Sequence, residues 1–270
     1  MITLRGEALH RGGAAAVCIS AAPGPILIAQ RGAEAKLRDF RVVRADRGVT
    51  IASADDRIRL DLVEHLLAAV AGLGLYGGLH IATDDRELPL LDGGARRFAE
   101  ALRSLAIPPS PSPLAVARAA TLQRGASVYR FTPGAFVRLR VEVAFRPPVG
   151  EEEAEWRGDA DDFFARIAPA RTFGWADEYT ALRASGRAAS VDLESVLVFD
   201  EGAVMTGCRP PAPSEVARHK LLDLIGDLAL YGGPPRGAVV AVAPGHASTH
   251  AVVAEALREG VLERAQDPSP

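Results

Sequence analysis

The sequence predicts an α+β protein built as two halves. Segments with strand-like alternation and segments with helical spacing occur in both halves, and neither kind dominates. Ile107 to Pro113 carries four prolines within six residues, which no helix or central strand accommodates and which stiffens a linker. The 270 residues leave room for two units, taken as 1–110 and 114–270. No repeat at solenoid spacing is present.

The elements follow in order. Ala14 to Ser20 and Pro25 to Ala29 read as short strands. Val63, Leu66, Leu67, Val70 and Leu73 recur at helical spacing, so a helix is expected over Leu62–Leu73, ended by Gly74. Leu79 to Ala82 reads as a strand, Glu87 to Gly94 as an extended segment entering a turn, and Ala95 to Leu105 as a helix. In the second half, Phe136 to Val143 alternates as a half-buried strand should. Asp161–Ile167 and Trp175–Ser185 are short helix candidates, and Val196 to Phe199 is a strand before an Asp200-Glu201-Gly202 turn. The clearest helix runs from Ser214, as N-cap, to Leu230, with Gly232-Gly233-Pro234-Pro235 stopping it. Ala238 to Ala243 is a buried strand and His250 to Glu259 a last helix.

Composition narrows the function classes. An apolar fraction of 48% excludes wholesale disorder. A net charge of −3 argues against nucleic acid as partner, because such binders carry a basic face. Two cysteines, Cys18 and Cys208, cannot build a disulfide framework or a Cys-rich zinc module. The N-terminus lacks a basic stretch followed by an apolar core, and no apolar run reaches the roughly 18 residues of a membrane span. A cytoplasmic protein without an integral membrane segment is expected; oligomeric state is left open.

On the helix over 214–230, His219, Asp223 and Asp227 follow at i, i+4 steps and form one narrow polar stripe, opposite Leu221, Leu224, Ile225 and Leu228. Such a stripe can be a solvated face. Solvated faces, however, are rich in Lys, Glu and Arg, whereas this one holds a His and two short acids. His and Asp one turn apart can share a zinc ion. Among the other five histidines, His65 follows Glu64 at the start of the first helix. Glu64 can serve there as a dipole-complementing residue, or as a base beside a metal ligand. His246, straight after a strand, is either a turn histidine or a general acid or electrostatic stabiliser.

Taken together these segments resemble the UDP-3-O-acyl-N-acetylglucosamine deacetylase family, zinc enzymes of lipid A synthesis. The resemblance rests on Gly6-Glu7-Ala8-Leu9-His10-Arg11-Gly12, on Val63-Glu64-His65-Leu66-Leu67-Ala68-Ala69 with Gly72-Leu73-Gly74, and on Glu87-Leu88-Pro89-Leu90-Leu91-Asp92-Gly93. It extends through Ala170-Arg171-Thr172-Phe173-Gly174, the run from Arg218 to Leu228, and Gly245-His246-Ala247. It implies two similar α+β domains, each a sheet with helices, with the helices sandwiched between the two sheets. It implies His65, His219 and Asp223 as ligands of one zinc ion per chain, Glu64 as general base, and His246 as the protonated partner whose ring Asp227 holds. Thr172 would help bind the developing oxyanion, and Phe173 and Lys220 would line the substrate site. The implied reaction removes the N-acetyl group from an amphiphilic UDP-sugar, with Val191 to Phe199 lining an apolar passage for its acyl chain.

The departures from the family pattern fall on substrate-contact positions. Leu75-Tyr76-Gly77-Gly78 replaces a stretch with Asp-Asn, Arg11 a serine, Ser248-Thr249 a Leu-Asn, and Ala188 to Asp192 a Gly-Gly-Ser loop before its Asp. Ala243-Pro244 stands where the family often has a phosphate-contacting lysine, which makes Arg236, and more remotely Arg118 and Arg124, the candidate replacements. Two alternatives follow: a divergent paralogue deacetylating another N-acyl sugar, or a non-catalytic metal-binding relative.

Overall fold

Alternating burial builds the first sheet. The computed structural model describes residues 1–178, 193–200, 203–205, 207 and 209–264. Strands β1 (Ile2–Glu7), β2 (Ala14–Ala21), β3 (Leu27–Gln30) and β4 (Ala33–Lys36) precede a small antiparallel sheet of β5 (Arg41–Arg44), β6 (Thr50–Ala52) and β7 (Arg59–Asp61). With β8 (Leu79–Ala82) the first four make a five-stranded sheet of order β1-β2-β8-β3-β4, in which β3 and β8 run parallel. Ile81 pairs with Ile19 on one side and Ile28 on the other, and all three are buried.

Helix α1 (Glu64–Gly72) is buried along its whole length, its polar start included. It is a central helix rather than an amphipathic surface one. Helix α2 (Arg96–Ser104) turns Phe98, Ala99, Ala101 and Leu102 inward and keeps Arg97 and Arg103 outside.

The second half contributes β9 (Leu114–Val116), β10 (Ala120–Arg124), β11 (Ser127–Ala144) and β12 (Glu151–Trp156). A helical turn, 160–167, and β13 (Thr172–Trp175) follow, then β14 (Val196–Asp200) and β15 (Ala203–Met205). Helix α3 (Glu215–Ala229), β16 (Arg236–Val242), α4 (His246–Arg258) and β17 (Leu262–Arg264) complete it. The large sheet has order β10-β11-β16-β9-β17, with β12 on β11, and Leu139 and Val141 of β11 face Val239 and Ala241 of the parallel strand β16. Strands β13, β14 and β15 form a small sheet of their own. One apolar cluster joins the inner residues of the five-stranded sheet, α1, α2, α3 and the large sheet, so the helices lie between the sheets. This is the expected α+β architecture.

Two details differ from the sequence reading. Ser214 precedes α3 but sits in a left-handed conformation and makes no side-chain cap. The Glu215 carboxylate takes the nearby Ala212 N–H instead. Helix α4 starts at His246, four residues before the expected start, because the Ser248 hydroxyl folds back onto the N–H of Gly245 (3.1 Å) and turns the chain there. Of the Trp175–Ser185 candidate, 179–185 lie outside the described residues, as do 201–202 of the expected turn, 188–192 and Cys208.

Candidate active site

Helices α1 and α3 come from different halves and pack directly against each other where α3 has Gly226. That contact brings the start of α1 to the polar stripe of α3. His65, His219 and Asp223, all buried, offer ligand atoms that lie within 4.8 Å of one another. The rings of His65 and His219 meet edge to face at 5.1 Å. His219 Nδ1 donates to the Ala170 carbonyl (3.0 Å), which leaves Nε2 with its lone pair, 3.5 Å from Asp223 Oδ1. His65 Nδ1 and Asp223 Oδ1 are buried and reach no hydrogen-bond partner. Orphaned buried atoms of this kind are what a metal-ligand set shows in a structure without ions, so the three residues fit a divalent cation.

The electrostatics suit that reading. Burial holds His65 neutral, with its pKa lowered to about 3, and burial likewise lowers that of His219. Burial alone would raise Asp223, but Lys220, His219 and His246 hold it well below the usual carboxylate range. Neutral imidazoles and an ionised carboxylate are the forms that bind metal. Lys220 Nζ donates to Asp223 Oδ2 at 2.7 Å.

Beside this group stands Glu64. Its Oε2 accepts the Val49 N–H (3.0 Å), and burial pushes its pKa up to about 7. His246, the first residue of α4, donates through Nδ1 to both oxygens of Asp227, at 2.9 and 3.0 Å. Burial opposes its charge, but Asp227 and Asp223 outweigh that and push it up to about 9. Asp227 is held below its ordinary value against burial, first by His246. The stripe of α3 is therefore not a solvated face: His219, Asp223 and Asp227 are each at most 5% exposed.

These groups open on a cavity of about 560 Å³. Glu64, His65, His219, Lys220, Asp223 and His246 line one part, with Thr172 and Phe173 of β13 beside them. Phe173 stacks edge-on against His219 (5.9 Å) and Phe145 (5.3 Å). Leu9, Leu62, Trp175, Val196 and Val198 supply an apolar wall. Within the expected passage Val191–Phe199, Val196 and Val198 line the cavity, while 191 and 192 lie outside the described residues. Asp227 stays behind His246 and off the cavity surface. All nine sequence-chosen residues thus gather in one place.

The candidate phosphate-side cations do not line this cavity. Arg118 and Arg124 pair with Glu259 and Glu255 on α4 and just beyond it, and Arg236 is exposed at the start of β16. Among the described residues, the arginine that lines it is Arg47, in the loop before β6, which the sequence reading missed. His10 Nε2 bonds the Arg47 carbonyl (2.9 Å), and Glu87 fixes the His10 turn by accepting the N–H groups of His10 (2.8 Å) and Arg11 (3.0 Å). Two motifs far apart in sequence therefore hold one wall. Equally unforeseen is Arg171, wholly buried, whose guanidinium binds both oxygens of Glu215 (2.9 and 3.2 Å) and ties the start of β13 to the start of α3.

Two histidines and a carboxylate between α+β layers, with a second carboxylate beside them, are a set of the kind that metal-dependent hydrolases use. The chain belongs to the UDP-3-O-acyl N-acetylglycosamine deacetylase (LpxC) family, whose sequence model matches residues 1–258. Among its relatives, a UDP-3-O-acyl-N-acetylglucosamine deacetylase of Anaeromyxobacter dehalogenans is 30% identical over 97% of this chain and 87% of its own length. The protein of that name in Myxococcus xanthus is 32% identical over 79% of this chain and 69% of its own length. The one in Synechocystis is 36% identical over 68% of each. Among the described residues, no helix is long and apolar enough to cross a membrane.

Proposed function

We propose that this chain is a zinc-dependent deacetylase that hydrolyses the N-acetyl group of UDP-3-O-acyl-N-acetylglucosamine in lipid A biosynthesis, and that it works in the cytoplasm. The observation that carries this reading is the opening of Glu64, the His65–His219–Asp223 group and His246 onto one cavity with an apolar wall. The relatives' names supply the substrate. The halves 1–110 and 114–270 act as two domains, the first giving Glu64 and His65 and the second the rest.

His65, His219 and Asp223 would hold one zinc ion. When bound, zinc supplies Lewis acidity toward water and the acyl carbonyl. Glu64 takes a proton from the attacking water; its raised pKa makes it a stronger base than an ordinary carboxylate. Thr172 and His246 face the negative charge that develops on the acetyl oxygen. His246 then passes its proton to the departing nitrogen as the C–N bond breaks, and acetate and the free amine leave. Asp227 keeps the His246 ring aimed and charged. Lys220 acts both on Asp223 and as a lining residue, and Phe173 shapes the floor. The acyl chain runs along Leu62, Val196 and Val198.

A second reading, deacetylation of another N-acyl sugar, is favoured by the absence of Arg236, Arg118 and Arg124 from the cavity. Hydrolysis of the UDP-acyl-sugar by purified protein, with and without chelator, separates the readings. Chelator-sensitive acetate release supports the first. Bound metal without turnover of this substrate favours the second.

A further inference from the structure

Asp227 faces a histidine on each of two sides. His246 and His250 lie one turn apart on α4 and so share a face. Asp227 and Tyr231 lie one turn apart on α3 and just past its end. The two pairs meet across the helix contact. His250 Nε2, buried and without a hydrogen-bond partner, lies 3.3 Å from Asp227 Oδ1, and His250 Nδ1 lies 3.1 Å from the Tyr231 hydroxyl. His250 is 7% exposed and Asp227 1%, so water does not mediate freely. Nothing in the reaction described above uses His250 or Tyr231.

We propose that Tyr231 and His250 form a positioning pair that holds the Asp227 carboxylate ionised and aimed at His246, through the Nε2–H tautomer of a neutral His250. An ionised carboxylate can only accept, so the ring atom facing it carries a proton. A neutral ring then has Nδ1 as acceptor, and the Tyr231 hydroxyl donates to it. A second cationic imidazole on the same carboxylate would leave an uncompensated buried charge beside His246. Tyr231 thus selects the tautomer, His250 turns the positive end of a second N–H toward Asp227, and Asp227 stays fixed when His246 gives up its proton. No bond is made or broken at His250, and it touches neither substrate nor metal ligands. The proposal rests on His246 as proton donor, but its tautomer content does not.

Two measurements test it. Nitrogen-15 NMR of imidazole-labelled protein should show His250 neutral, with Nε2 protonated and Nδ1 bare, and Tyr231→Phe should weaken that preference. A protonated Nδ1 in the wild type overturns the proposal whatever the enzyme's activity. In steady-state kinetics on the UDP-acyl-sugar, His250→Phe should lower kcat about 10-fold, with KM and bound metal unchanged. Tyr231→Phe should lower kcat about three-fold. His250→Asn, which can still donate an amide N–H, should recover most of the loss. The double variant should match His250→Phe alone, since Tyr231 acts only through His250. Additive losses, or equal damage from Phe and Asn, would assign His250 to packing and reject the proposal. A His250→Phe protein that fails to fold leaves Tyr231→Phe and the wild-type spectrum to decide. Absence of turnover in the wild type counts against the deacetylase reading, with the NMR arm still deciding the tautomer.

Discussion

A Cβ on Gly226 would stand 2.2 Å from the carbonyl oxygen of Glu64 and 3.2 Å from the amide nitrogen of Ala68. Both are backbone atoms, so no rotamer change can relieve the clash. The distance between α1 and α3 is set here, and with it the distance from His65 to His219 and Asp223. Gly226→Ala should destabilise the protein by about 1–3 kcal/mol through overpacking and reduce its metal content. Urea denaturation and elemental analysis check both. An unchanged midpoint with full metal would mean the helices separate at no cost.

The metal group predicts a division of labour. His219→Ala removes a ligand and should lose most bound zinc. Glu64→Gln removes only the proposed base, so it should retain zinc while kcat falls about 10²- to 10⁴-fold. Metal content and turnover measured on the same preparations distinguish the two. Zinc loss in Glu64→Gln would make Glu64 a ligand instead.

Arg47 lines the cavity, whereas Arg236, Arg118 and Arg124 do not. If the substrate's diphosphate meets Arg47, Arg47→Ala should raise KM by about 10- to 150-fold and leave kcat nearly unchanged, the effect of one lost charge-assisted hydrogen bond. Arg236→Ala should change neither. Equal effects of the two substitutions would move the anion site elsewhere.

The Arg171–Glu215 pair predicts a pH dependence of stability. Burial would raise the Glu215 pKa, but the hydrogen bonds and charge of Arg171 bring it below its ordinary value. A carboxylate depressed in the folded state contributes stability that is present above its unfolded pKa and lost as pH falls through the folded one. Glu215→Gln leaves Arg171 buried and unpaired, so near pH 7 it should cost about 3–5 kcal/mol. The gap from wild type should shrink as pH drops below the ordinary range of a glutamate. Denaturant midpoints between pH 3 and 7 give the comparison; a gap that stays constant would remove the pair from the acid response.

The sequence by itself determined which side chains are the candidates for the chemistry and which helices hold them. The i, i+4 stripe of His219, Asp223 and Asp227, and the Glu64-His65 pair heading α1, are local patterns, and local spacing suffices to read them. The core helices and the alternating stretch at Leu139, Val141 and Val143 were legible for the same reason. Short strands such as Arg41–Arg44 and Arg59–Asp61 were not, because their periodicity is too brief and pairing with neighbours makes them strands. Whether the α3 stripe was a solvated face or the wall of a cleft also lay beyond the sequence. Burial of Glu64 and Asp223 depends on an interhelical approach that Gly226 permits but does not announce. The positions of Arg47, Arg171 and Tyr231 belong to the same class. Each gains its role from a partner distant in the chain or across a helix contact, and only the packed tertiary structure fixes distances of that kind.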